Sequence, residues 1–116
     1  RDLHSFPTRR SSDLQLAVAE VVQLLQQGKI ALVDTRDEPV YKRLHLPGAV
    51  NMPLEQVPNR LAELHMLPGA PVLYCRSGDK TKELVEKLAQ EGIELAFLEG
   101  GVLAWEAEGL ELQRAN

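Results

Sequence analysis

Residues 71–81 read PVLYCRSGDKT. Pro71 to Tyr74 is a short continuous apolar run, the pattern of a strand buried on both faces. Cys75 follows at its carboxyl end, and then the polar stretch Arg76-Ser77-Gly78-Asp79. From Lys80 to Gln90 the pattern turns helical: Leu84, Val85 and Leu88 share one face, and Gly92 stands as a stop. A strand, a tight loop and a helix in that order make up half of a βαβ unit.

The same alternation extends both ways. Leu16, Val18, Val21, Val22, Leu24 and Leu25 lie at helical spacing before Gly28. Ile30 to Val33 is another buried-strand run, closed by the polar turn Asp34 to Glu38. Pro47-Gly48 marks a second turn before a short strand at Val50 to Met52. Leu54, Val57, Leu61 and Leu64 predict an amphipathic helix, bent at Pro58. Leu95 to Leu98 is the third buried strand, and Gly100-Gly101 leads into a last short helix through Trp105. The expectation is one small α/β domain of three layers, a central parallel sheet with helices on both faces.

Composition agrees with that class. The chain has 116 residues, 44% hydrophobic and 26% charged, which suits one folded domain with a modest core. No apolar run approaches the roughly 18 residues of a membrane span. A net charge of −4 without a basic stripe argues against a nucleic-acid partner. Cys75 is the only cysteine, so neither an internal disulfide nor a multi-cysteine zinc site can form. The three histidines have no metal-ligand spacing. A reducing compartment, the cytoplasm, is expected.

Residues 1–14, RDLHSFPTRRSSDL, stand apart. They lack the apolar core of a secretory signal, and Asp2 and Asp13 count against a transit peptide. A widely used sequencing-adapter oligonucleotide, translated in frame, reproduces the whole stretch. The segment is therefore read as foreign to the protein and disordered, with the domain in 15–116. On that reading the natural N-terminus and any targeting signal are lost from view.

Cys75 carries the chemistry. In open α/β sheets ligands bind beyond the carboxyl ends of the strands, where Cys75 is expected. A tight loop with Gly78 can turn backbone N–H groups toward the sulfur, and the following helix adds its positive end. Such a setting favours a charged, nucleophilic sulfur over a buried inert one. Arg76 and Lys80 add positive charge for an anionic substrate.

Cys75–Thr81, CRSGDKT, resembles the active-site loop of single-domain rhodaneses, the thiosulfate sulfurtransferases. VDTRD at Val33–Asp37, HLPGAVNMP at His45–Pro53 and LEGGVLAW at Leu98–Trp105 agree with it, in the family's order. The resemblance implies a small rhodanese-like domain in which Cys75 takes a sulfane sulfur from a small anionic donor such as thiosulfate. The sulfur passes from a Cys75 persulfide to a thiol or cyanide-like acceptor in a double displacement, with neither metal nor organic cofactor. It also implies that Arg76, Ser77, Gly78, Asp79, Lys80 and Thr81 cradle the sulfur through main-chain amides. The family's loop commonly has Asn-Arg-Ser where Asp79-Lys80-Thr81 stands. Lys80 keeps the charge without the guanidinium fork, and Asp79 adds negative charge beside an anion site. Val40 and Leu44 replace a usual Glu and Gly, which leaves Arg36 without its usual partner or with Glu38 in its place.

Other residues are read more plainly. Asp34 and Arg36, at the end of a strand, are expected to support the site as an ion pair that fixes their loop. His45 is expected to fix a loop, His65 to face solvent, Trp105 to anchor the core, and Gly100-Gly101 to pack beside the Cys75 loop. A phosphatase of related fold needs Arg six residues after the cysteine to clamp phosphate, and Thr81 is there instead. The remaining alternative is a sulfur-relay or regulatory module with weak free-substrate activity that acts on a protein sulfur acceptor.

Overall fold

The computed structural model describes residues 14–114. Five strands form one sheet: β1 (Gln15–Leu16), β2 (Ile30–Asp34), β3 (Val50–Asn51), β4 (Ala70–Tyr74) and β5 (Ala96–Leu98). Their spatial order is β1-β5-β4-β2-β3, and every pairing is parallel. The helices are α1 (Val18–Gln26), α2 (Glu38–Arg43), α3 (Leu61–His65), α4 (Asp79–Gln90) and α5 (Gly101–Ala107). A 3-10 segment, Leu54–Asn59, precedes α3.

Strand periodicity divides the core in two. Ile30 and Leu32 of β2, Val72 and Tyr74 of β4, and Leu98 of β5 pack with Val21 of α1 and with Val102 and Trp105 of α5. Val33, Leu73 and Phe97, from the same strands, pack with Val57, with Leu64 of α3, and with Val85 and Leu88 of α4. Successive strand residues face opposite ways, so a sheet buried on both faces needs apolar residues at every position. This is the expected three-layer arrangement.

Four local expectations change. Leu16 belongs to β1, paired with Leu98, and α1 begins only at Val18. The helix expected through Leu54–Leu64 divides: Pro58 lies inside the 3-10 segment, and α3 starts beyond Arg60. Proline supplies no N–H for a continuous α ladder. Helix α2 has no buried residue and hence no apolar period to read; its signals are Asp37 at the N-cap and Pro39 in the first turn. Leu14, assigned to the foreign segment, is 2% exposed and packs in the second cluster. The other residues of that segment lie outside those described.

The strand order positions the site. The chain leaves β2 toward β3 on one side of the sheet and leaves β4 toward β5 on the other. Neighbouring strands whose connections diverge leave a crevice at their carboxyl ends. The segments that follow β2 and β4 border that crevice.

Candidate active site

Cys75 follows the last residue of β4, near the centre of the sheet, and is 7% exposed. The Gly78 N–H donates to Cys75 Sγ at 3.1 Å. Thr81 Oγ1 lies 3.6 Å from the sulfur and donates to the Gly78 carbonyl at 3.1 Å. Gly78 is the N-cap of α4 at φ +92°, a conformation that glycine adopts without strain. The helix expected from Lys80 therefore starts one residue earlier, at Asp79. Lys82 makes the first intrahelical bond, to the Gly78 carbonyl. The N–H groups of Asp79, Lys80 and Thr81 consequently have no partner within the helix, and the helix dipole adds positive potential at that end.

The backbone of Cys75 is held from both sides. Thr35 donates twice to the Tyr74 carbonyl, through its N–H at 2.9 Å and its hydroxyl at 2.8 Å. From α5, Val102 N–H donates to the Cys75 carbonyl and Leu103 N–H to that of Arg76, both at 3.0 Å. This close approach requires Gly101: a Cβ there would overlap the Cys75 carbonyl oxygen. The expectation that Gly100-Gly101 packs beside the loop holds.

Behind the loop, Asp34 is fully buried. Its carboxylate accepts from Arg36 Nη2 at 2.6 Å and from the Tyr74 hydroxyl at 2.8 Å. Arg36 Nη2 also donates to the Leu44 carbonyl, and Leu46 N–H donates to Tyr74 Oη at 3.0 Å. Asp34 and Arg36 thus form the expected ion pair. The partner of Arg36 is Asp34; Glu38 instead approaches Lys42 at 3.9 Å. Burial works against the Arg36 charge, but the Asp34 bonds and charge outweigh it and hold its pKa above the ordinary value. Burial, followed by the Asp34 charge, pushes the Tyr74 phenol up, so it remains a neutral donor.

A cavity of about 500 Å³ opens over Cys75. It is lined by Cys75, Arg76, Ser77, Asp79 and Lys80 after β4, by Thr35, Arg36, Asp37 and Val40 after β2, and by Leu54 and Glu55 after β3. Arg36 and five of the expected loop residues therefore meet at one cavity. Gly78 and Thr81 are buried at Cys75, and Asp34 lies buried against Arg36. His45 is outside the lining, stacked on Tyr41 at 4.2 Å with Nδ1 2.9 Å from the Tyr41 carbonyl. It fixes its loop, as expected. His65 is exposed, and buried Trp105 donates to the Glu111 carbonyl. Sequence reading missed Thr35, Tyr74, Asp37, Leu54 and Glu55 as parts of the site. Thr35 and Asp37 flank Arg36 within the quoted VDTRD; Leu54 and Glu55 carry no local signal.

Residues 17–108 match the rhodanese-like domain family. The chain belongs to that family. An uncharacterized protein of Synechocystis sp. is 32% identical to this rhodanese-like domain over 101 residues, 85% of this chain and 55% of that protein. The chain thus spans about half the length of that relative. A sulfurtransferase of Allochromatium vinosum is 31% identical over 84 residues, 72% of this chain and 78% of that protein. The crystal structure of a thiosulfate sulfurtransferase from Pseudomonas aeruginosa superposes with a TM-score of 0.77 at 25% identity. That likeness covers 88% of this chain and 20% of the other. Among the described residues of the rhodanese-like domain, no helix is long and apolar enough to cross a membrane.

Proposed function

We propose that this rhodanese-like domain is a sulfurtransferase working through a Cys75 persulfide, with a small anionic donor such as thiosulfate. The observation that carries the reading is the Gly78 N–H donated to Cys75 Sγ at the first turn of α4, beneath an open cavity. Cys75 Sγ, as thiolate, attacks the sulfane sulfur of the donor. The donor S–S bond breaks, sulfite leaves with the electron pair, and a persulfide remains on Cys75. The N–H groups of Asp79, Lys80 and Thr81, which have no partner within α4, and the side chains of Arg76 and Lys80 stabilise the added negative charge. An acceptor nucleophile then takes the outer sulfur, and Cys75 Sγ leaves with the pair.

Intact mass spectrometry after thiosulfate treatment should show one added sulfur per chain. Cys75→Ser should abolish uptake while the circular dichroism of the folded domain is unchanged, because the two side chains are nearly isosteric. Sulfur uptake by the folded Ser variant would overturn the assignment.

A further inference from the structure

The Thr81 hydroxyl has no task in the persulfide steps above, yet it is fully buried against the reacting sulfur in the first turn of α4. It has one proton and two acceptors within reach, the Gly78 carbonyl at 3.1 Å and Cys75 Sγ at 3.6 Å. The longer distance suits the larger sulfur atom. The Gly78 carbonyl also accepts from the Lys82 N–H at 3.0 Å, so it keeps a donor when the Thr81 proton turns away. Burial and the branched Cβ hold the side chain, and only the O–H bond has to rotate.

The charge on Cys75 Sγ decides which acceptor is served. A thiol can donate to Thr81 Oγ1 while Thr81 donates to Gly78. A thiolate has no proton to give and is the stronger acceptor. In the persulfide Sγ is neutral again, because the charge has passed to the outer sulfur. Resting on the persulfide reading above, we infer that Thr81 is a catalytic residue: its proton turns from the Gly78 carbonyl to Sγ whenever the thiolate forms, and it serves the unloading step. In loading, Sγ bonds to the sulfane sulfur of thiosulfate and gives up its charge, and sulfite leaves with the S–S electron pair. In unloading to cyanide, the cyanide carbon bonds to the outer sulfur and the bond from that sulfur to Sγ breaks. Sγ takes the electron pair and thiocyanate departs, so atoms and charge balance without an oxidant or reductant. Such exchange speeds up when the leaving sulfur is stabilised and slows when the attacking sulfur is. The Thr81 bond therefore helps Sγ to leave and restrains its attack.

The test uses the whole chain, loaded from thiosulfate or from inorganic polysulfide with the load confirmed by mass, then unloaded with cyanide and followed as thiocyanate. Thr81→Val removes the hydroxyl, keeps the shape, and leaves the Gly78 carbonyl bonded to Lys82. A hydrogen bond to a charged sulfur contributes about tenfold, divided about equally between departure and attack. Thr81→Val should therefore unload about threefold more slowly than wild type. On the alkaline plateau, where every Cys75 is ionised, it should load about threefold faster. Alkylation of the unloaded variant by iodoacetamide should need a pH about one unit higher. The charged residues of the cavity, Arg36, Asp37 and Glu55 with Arg76, Asp79 and Lys80, are common to both proteins and cancel from the comparison. From α5 the loop meets Gly101 and Val102, which carry no charge. Thr81→Ser restores the hydroxyl and should recover both rates. If Thr81→Val fails to fold, Thr81→Ala gives the same comparison. Two steps slowed alike, or neither changed, overturn the role of Thr81 and leave the persulfide reading standing. If neither agent loads wild-type Cys75, both readings fall.

Discussion

Asp79 is the clearest departure from the family pattern in the loop, and its role is a matter of charge. It lines the same cavity as Cys75, and the Ser77 hydroxyl donates to it at 3.3 Å. Its carboxylate opposes an approaching dianion, and it does not cap α4, because Gly78 occupies the N-cap. Asp79→Asn should raise kcat/KM for thiosulfate at low salt, up to about tenfold or about 1.4 kcal/mol. Salt titration of both proteins checks the cause, since screening should narrow the gap. A variant no faster than wild type would mean that the carboxylate does not act on the donor. Tyr74 poses a question of stability instead. Tyr74→Phe removes the donor to buried Asp34 and the acceptor of the Leu46 N–H. Urea unfolding should show a loss of about 1–3 kcal/mol. The pH dependence has a definite sign. Burial raises the folded-state pKa of Tyr74, so its contribution is present in full below the unfolded value of about 10 and is lost as pH rises beyond it. The stability gap between wild type and Tyr74→Phe should narrow in that alkaline range.

At the scale of elements, the Cys75 loop depends on how closely α5 approaches it. Gly101 has φ +57°, and its missing Cβ leaves room for the Cys75 and Arg76 carbonyls. Gly101→Ala should cost about 2 kcal/mol or more in denaturant unfolding, and should slow sulfur loading by displacing the loop. A variant of unchanged stability would show that α5 can withdraw without loss. The first strand offers a second measurement. Leu14, just ahead of β1, is buried among Val33, Phe97 and their neighbours, so Leu14→Ala should cost about 2–5 kcal/mol. A loss below about 0.5 kcal/mol, the usual limit for a surface site, would show that this end of the chain does not pack. The elements legible in the sequence are those whose burial leaves a period: α1, α4 and the continuous runs of β2, β4 and β5. Turn residues placed β3 and α5, after Pro47-Gly48 and Gly100-Gly101, and α3 was read as the end of a longer helix. Two-residue β1 is too short to alternate, and α2 buries nothing.

For the whole molecule, both core clusters are built on the same three central strands, which ties the two faces into one cooperative unit. The single tryptophan and single cysteine can report this independently. Trp105 is 4% and Cys75 7% exposed, so fluorescence and thiol alkylation should follow urea unfolding with one midpoint. Separate midpoints would show that the face covered by α5 opens on its own. The sequence by itself determined the layered α/β class, the strand–loop–helix around Cys75, and the family. These rest on local information: alternating burial, turn residues and the spacing of short motifs. Only the tertiary structure supplied the Tyr74 hydroxyl of β4 as a second donor to Asp34 of β2. It alone placed Tyr74 and Thr35 at the base of the Cys75 loop, and brought Asp37, Val40, Leu54 and Glu55 to the cavity that Cys75 lines. Those contacts join segments on neighbouring strands. Their partners are set by sheet order and by distances through space, which periodicity along the chain does not encode.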